Sequence, residues 1–340
     1  MKVTFVIIAL NAEPVLKRSL ECLKAQNYPH KNIEVVLIDG ISTDRTKAIM
    51  LDFQQEETSF ARVVVKNNSG KWLACGWNIA LKEATGEIII RVDAHTEFPC
   101  DFISKNVECI ESGESICGGK VISKLENNSQ MNQVMLEAEN SMFGGGFTFF
   151  RRGEICKYTN TLAFAAYKKE CFDTVGLYNE RLKRTEDNEI HYRMHKAGYK
   201  FYFNPNIYSY RYCRNSFFKL LQQKYFNGYW VGLTMGVQPR AFSIFYFVPL
   251  LFVMGLIFFI VLAFFYFWPL VIYLFMYVLV LLASLALAIV KSKFYMALLL
   301  LPFILFSLHI AYGFGTINGL ICIPKWLKNG QSSKDVVQNS

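Results

Sequence analysis

The chain has 340 residues, 53% of them hydrophobic and 19% charged, with a formal net charge of +9. At about 100–200 residues per domain the length suggests two units. No Lys/Arg-rich block accompanies the basic excess, which argues against nucleic acid and for a membrane surface or a phosphate-rich ligand. Nine scattered cysteines without a C-x-x-C pair argue against both a disulfide framework and a zinc site.

In chain order, residues 3–10 form a continuous apolar run, as expected of a strand covered on both faces. The run is too short for a secretory leader and is followed by Asn11, Glu13 and Pro14 without a small-residue cleavage site. Residues 14–26 have helical spacing, with Val15, Leu16, Leu20 and Leu23 on one side. A second strand over 33–38 ends at Asp39-Gly40, and Ser42 or Thr43 is positioned to cap a helix over 44–55. A short strand over 61–65, a helix over 72–84 stopped by Gly86, and a strand over 87–92 ending at Asp93 complete the rhythm. Alternating strand and helix predict a parallel α/β sheet with right-handed crossovers, and ligands bind such sheets beyond the carboxyl ends of the strands. Residues 100–215 are less regular, with glycines at 144–146 and a helix near 186–197.

The distribution of charge changes after Arg240. Of the 27 acids 26, and of the 36 bases 31, precede Ala241, and residues 243–290 carry no charge. One helix crosses roughly 30 Å of hydrocarbon with about 20 residues, so three hydrophobic segments are expected, at 244–267, 269–290 and 294–317. Residues 1–240 form the expected front domain, 241–322 the membrane domain and 323–340 a polar tail. Lys291 and Lys293 put their loop, and hence the front domain, on the cytosolic side. Three spans leave Lys325 and Lys328 on the far side, which requires a re-entrant or interfacial last segment or an exception to the rule.

Three acidic stretches are candidate chemistry. Asp39 can accept hydrogen bonds from a nucleoside or simply close a turn. Asp93 and His95 can hold Mg²⁺ or Mn²⁺, or be a cap and a surface histidine. Thr185-Glu186-Asp187-Asn188-Glu189 offers a general base, or merely acids complementing a helix dipole. Arg211, Arg214 and Lys219 lie ahead of Gln223, Tyr225 and Trp230, where they are positioned for phosphate or lipid head groups or for ordinary anchoring at an interface.

The order of motifs resembles family 2 glycosyltransferases of the GT-A fold, and in particular the membrane-anchored transferases of succinoglycan and exopolysaccharide synthesis. It is carried by residues 8–11 with Gln26-Asn27-Tyr28-Pro29, then 38–44, 68–70 with Asn78-Ile79-Ala80, Thr85-Gly86-Glu87, Val92-Asp93-Ala94-His95, 163–167, and 184–189 with Ala197-Gly198-Tyr199. The resemblance implies a Rossmann-like, mostly parallel catalytic domain followed by transmembrane helices, in a multi-pass protein of the inner (plasma) membrane. It implies that Asp39, Asp44, Asn11, Asn78, Gln223 and Trp230 bind the nucleotide-sugar. Asp93 and His95 then hold the divalent cation, Mg²⁺ or Mn²⁺, and Asp187 beside Glu186 supplies the base. The implied activity is inverting transfer of a hexose from a nucleotide-sugar, a UDP-sugar, to a polyprenyl-linked glycan. Lys224 and Asn227 leave the family's Gln-x-x-Arg-Trp motif incomplete, which argues against a processive synthase. A non-catalytic, membrane-tethered sugar-nucleotide scaffold is the alternative from another class.

Overall fold

The computed structural model describes residues 1–144, 148–213, 216–292 and 294–338, the side chains of 329–338 excepted. Arg214, Lys293 and two of the three glycines at 144–146 lie outside the described residues. The chain packs as two compact units. One contains Met1–Lys124 and Thr148–Tyr212; the other contains the described parts of Leu125–Phe147 and Cys213–Ser340. This division differs from a single cut at residue 240.

The first unit is built on nine strands: β1 (Val3–Ala9), β2 (Ile33–Asp39), β3 (Arg62–Asn67), β4 (Ile88–Asp93), β5 (Thr96–Glu97), β6 (Ile116–Lys124), β7 (Lys157–Thr159), β8 (Ala166–Lys168) and β9 (Phe201–Tyr212). They form one sheet in the order β3-β2-β1-β4-β8-β6-β9-β5, with β7 alongside β9. The first four are mutually parallel, as the apolar runs predict, whereas β8 pairs antiparallel with both β4 and β6. Every residue of β1 and β2 is buried. Phe5, Ile7 and Leu37 meet Leu16, Leu20, Leu23, Met50 and Phe53 on one face. Val6, Ile8 and Ile38 meet Ala74, Trp77, Ala80, Ile190 and Met194 on the other. Each such side chain contributes about 1.5–3 kcal/mol on burial.

One buried acid of this sheet's second strand is fully paired. Glu34 on β2 accepts from Thr4 Oγ1 at 2.7 Å, Arg62 at 2.9 Å and the Thr85 amide at 2.8 Å. A Cβ on Gly86 would come 2.6 Å from the Thr4 amide, so the Thr85-Gly86-Glu87 stretch fits β4 against β1. One capping expectation is corrected. The helix Thr46–Glu56 has Arg45 at its N-cap without a side-chain cap bond. Ser42 and Thr43 instead bond Asn11, and Asp44 receives the Thr46 amide at 3.0 Å.

The second unit contains three helices long and apolar enough to cross a membrane, over Ile244–Leu262, Trp268–Ser292 and Met296–Lys328. The apolar windows of the first two are only 11% buried. Helices that are apolar all round and exposed belong in lipid. The last span lies on a longer helix, Leu301–Gln338, which packs against the helix Phe217–Thr234. The seam between these two is made of glycine. A Cβ on Gly228 would strike the Tyr312 carbonyl, one on Gly315 the Tyr225 carbonyl, and one on Gly319 the Tyr229 carbonyl. Two small-x-x-x-small pairs, Gly228/Gly232 and Gly315/Gly319, thereby bring the backbones into direct contact. This is why residues 217–234 pack with the apolar helices. Gly228→Val should overpack the seam and cost about 1–3 kcal/mol. Thermal melting of the detergent-solubilised protein checks this, and a variant that melts with the parent would contradict the close seam.

Candidate active site

Strand order and register assemble the site at one end of the first unit. Ala9 stands opposite Asp39, and Ile8 opposite Asp93, so β1 lies between the two acids. With neighbouring strands about 4.8 Å apart, the ends of β2 and β4 are separated by about 10 Å.

On the β2 side, the loops after β1 and β2 are laced together. Asn11 Oδ1 accepts from the Thr43 amide at 2.8 Å, while the Asn11 amide donates to Ser42 Oγ at 3.0 Å. Asp44 accepts from the Glu13 amide at 3.1 Å, and Glu13 from the Arg45 amide at 3.1 Å. These bonds, led by the one to Thr46, hold the Asp44 carboxyl below its usual range. Asp39 is 1% exposed and accepts only long bonds, 3.2 and 3.3 Å, from the Ser42 amide. Asn11 and Ile41 adopt left-handed backbone, with φ of 50° and 62°. Such conformations cost of order 1–3 kcal/mol for non-glycine residues and cluster at functional sites.

On the β4 side, Asp93 Oδ2 and His95 Nε2 lie 4.0 Å apart and remain 30% and 47% exposed. Among the described residues no group of three or more His, Cys, Asp or Glu could hold a metal ion. One carboxylate and one imidazole fit a cation that takes its remaining ligands from phosphate and water, and the nitrogen suits Mn²⁺ better than Mg²⁺.

Two residues before Asp93, Arg91 is a buried cation in an otherwise apolar strand. Its guanidinium donates to both carboxylate oxygens of Asp187 at 2.5 Å and to Tyr178 Oη at 2.8 Å. The guanidinium carbon lies 4.6 Å from the centre of the Trp77 ring. Burial opposes the charge on Arg91, but Asp187 outweighs it and keeps the pKa well above the ordinary value. Burial likewise acts to raise Asp187, and the charge and hydrogen bonds of Arg91 reverse this, holding the carboxyl below its usual range. Glu186 next door is pushed the other way. Burial first, and then the Asp187 charge, raise its pKa to about 8. The pKa values of the adjacent acids are thus pushed apart, Asp187 downward by Arg91 and Glu186 upward by burial, the divergence expected of a pair with divided roles. Burial also lowers His191, one turn on from Asp187, to about 3, so it stays neutral between Thr161 and Tyr167.

The structure brings Asn11, Asp39 and Asp44 together on one side of β1, and Asp93, His95, Glu186 and Asp187 on the other. Asn78 is buried with its amide bonded to the backbone of Tyr178 and to Glu180, so it clasps the loop ahead of Asp187 rather than facing a ligand. Arg211 bonds Ser123 on β6. Gln223 and Trp230 lie on the helix Phe217–Thr234 in the second unit, where Trp230 is buried and packs edge-on against Trp326. Sequence reasoning gave Arg91, Trp77 and Tyr178 no role. The signal was a lone arginine in Ile88-Ile89-Ile90-Arg91-Val92, since buried arginine requires a partner.

The half-parallel sheet, with acids at the ends of the strands flanking β1, is a GT-A fold. Among solved structures, the chain is similar to the mannosyltransferase PcManGT from Pyrobaculum calidifontis in complex with GDP-Man and Mn²⁺. That likeness has a TM-score of 0.60 at 16% identity and covers 94% of this chain and 87% of that one. The chain belongs to glycosyl transferase family 2, whose sequence profile matches residues 4–176. Glu186 and Asp187 lie just beyond that match. A relative from Methanococcus voltae, dolichyl N-acetyl-alpha-D-glucosaminyl phosphate 3-beta-D-2,3-diacetamido-2,3-dideoxy-beta-D-glucuronosyltransferase, is 25% identical over 94% of this chain and 97% of its own length. The succinoglycan biosynthesis protein ExoA of Rhizobium meliloti (strain 1021) is 31% identical over 57% of this chain and 58% of its own length.

The acids make a pH prediction. The folded pKa of Glu186 is raised above its unfolded value, so its contribution favours folding at low pH and is lost as pH rises from about 4.5 to about 8. Glu186→Gln should remove that loss. The melting temperature of the variant relative to the parent should therefore rise between pH 5 and pH 8; a difference that stays constant across that range would show that Glu186 titrates normally.

Proposed function

We propose that this chain is an inverting hexosyltransferase that moves a sugar from a nucleotide-sugar to a lipid-linked glycan at a membrane. The observation that carries the reading is the Asp187 carboxylate, gripped through both oxygens by Arg91 on the strand that ends in Asp93. In this reading Asp39, Asn11 and Asp44 bind the nucleoside across β1 from the diphosphate. Asp93 and His95 hold the divalent cation, which when bound neutralises the charge gathering on the leaving diphosphate. Asp187 accepts the proton of the acceptor hydroxyl as its oxygen attacks the anomeric carbon from the face opposite the leaving group. Glu186, protonated beside it, keeps a second negative charge away from the departing diphosphate.

The three apolar helices support a membrane-bound acceptor, as does the relative of matching length, whose name gives it a dolichyl phosphate-linked sugar as acceptor. Lys291, closing the second apolar helix, supports a cytosolic catalytic unit in the inner membrane. Gln223 and Trp230 are assigned to donor contacts by the sequence resemblance alone, and Arg211 to phosphate or lipid head groups by its place in the basic stretch ahead of them. That resemblance also makes UDP the expected nucleotide.

Titration of the detergent-solubilised protein with UDP and GDP, each with and without Mn²⁺, tests the donor site. Tighter binding of UDP with Mn²⁺, lost in Asp93→Ala, is expected; failure of both nucleotides to bind would overturn the donor-site assignment. Asp187→Asn should lower turnover by about 10²–10⁴-fold while leaving nucleotide binding intact. Wild-type turnover in that variant would remove Asp187 from the base role.

A further inference from the structure

We propose that Arg91 is the positioning residue of this reaction: clamped by Trp77 and Tyr178, it sets the direction in which the Asp187 carboxylate meets the acceptor hydroxyl. The inference rests on the reading of Asp187 as the base.

Arg91 is 6% exposed on a strand whose neighbours are isoleucine and valine. Desolvating a cation costs several kcal/mol even when it is paired, and well-packed apolar residues often replace a buried ion pair without loss of stability. Folding alone therefore gives little reason for an arginine here. Its geometry gives a different one. Two parallel bonds of 2.5 Å fix both oxygens of Asp187 and the plane of the carboxyl group, which one bond to a lysine could not do. A carboxylate offers about four lone-pair sites, so the pair leaves room for a hydroxyl on the side of Asp187 that remains 32% exposed.

The arginine is itself fixed. Trp77 lies along its guanidinium face, and Tyr178 Oη accepts its third bond. Tyr178 is held in turn by Asn78, which accepts from the Tyr178 amide at 2.8 Å and donates to the Tyr178 carbonyl at 3.0 Å. Trp77 and Asn78 are consecutive residues of the helix Leu73–Glu83, so one short segment holds both the face and the edge of the cation. During transfer the hydroxyl proton passes to Asp187, the new oxygen–carbon bond forms, and the bond to the diphosphate breaks with its electron pair leaving on the diphosphate. Arg91 takes no proton; it acts through the Asp187 oxygens that it holds. It trades some base strength in Asp187 for complete ionisation and a fixed direction.

The test compares Arg91→Met, Arg91→Lys, Asp187→Asn and the double variant Arg91→Met/Asp187→Asn in the full chain. Turnover is followed as nucleoside diphosphate released from a panel of UDP- and GDP-sugars with membrane lipid extract present. UDP–Mn²⁺ affinity and melting temperature are measured on the same samples. Arg91→Met should lower kcat by about 10²-fold with UDP–Mn²⁺ affinity kept within about threefold, and the double variant should be no slower than Asp187→Asn alone. If Arg91→Met does not fold, Arg91→Lys keeps the charge without the fork and should melt near the parent while losing kcat about tenfold or more. Losses that multiply in the double variant, or an Arg91→Lys with parental kcat, would overturn the positioning role while leaving Asp187 as base. A fully active Asp187→Asn, or no turnover of any sugar nucleotide by the parent, would instead overturn the reading on which the inference rests.

Discussion

Complete burial of β1 on both faces is the constraint around which the first unit is organised. A strand packed between two apolar layers must pair any polar group it buries, as Thr4 and Glu34 are paired, and it presents free polar groups only at its ends, a limit that β2 and β4 share. The parallel register then fixes where those polar ends fall. Asp39 and Asp93 emerge on either side of β1 because their strands pair with it along almost their whole length. Two charged residues are buried within these strands short of their carboxyl ends, Glu34 on β2 and Arg91 on β4, and Arg91 is the one joined to Asp187. A break in the apolar rule thus coincides with the chemistry.

Much of this half of the molecule was legible from the order of residues. The runs 3–10, 33–38 and 87–92 are apolar enough to require burial, and they match β1, β2 and β4 to within about a residue. Their ends identify Asp39 and Asp93 without reference to tertiary structure. The return half was not legible. β7 and β8 have three residues each, too few for any periodicity, and their antiparallel pairing depends on partners up to about 80 residues away. Local chemistry was misleading where it had competing uses. Ser42 and Thr43 look like helix caps, yet the Ser42 hydroxyl and the Thr43 amide and hydroxyl join Asn11, and the Ser42 amide joins Asp39. Asn78 sits within a recurrent motif and its amide nevertheless belongs to Tyr178.

The second unit shows a different limit. Hydropathy picks out the three apolar helices, along which large side chains such as Phe258, Phe275 and Val290 are exposed. It does not reveal which less apolar segment joins them. The helix Phe217–Thr234 is assigned by glycines, whose contribution is an absence of side chain and so carries no hydrophobic signal. Gly228, which lies between Gln223 and Trp230, has its one free face against a carbonyl of the last helix.

Contact between backbones has a mechanical consequence. Side chains can change rotamer and let packed helices slide, but two main chains in direct contact cannot, so the helix that carries Gln223 and Trp230 must move as one body with Leu301–Gln338. A helix of that length adapts to bilayers of different thickness by tilting. A tilt of the long helix therefore carries Gln223 and Trp230 with it through the Gly228–Gly319 seam.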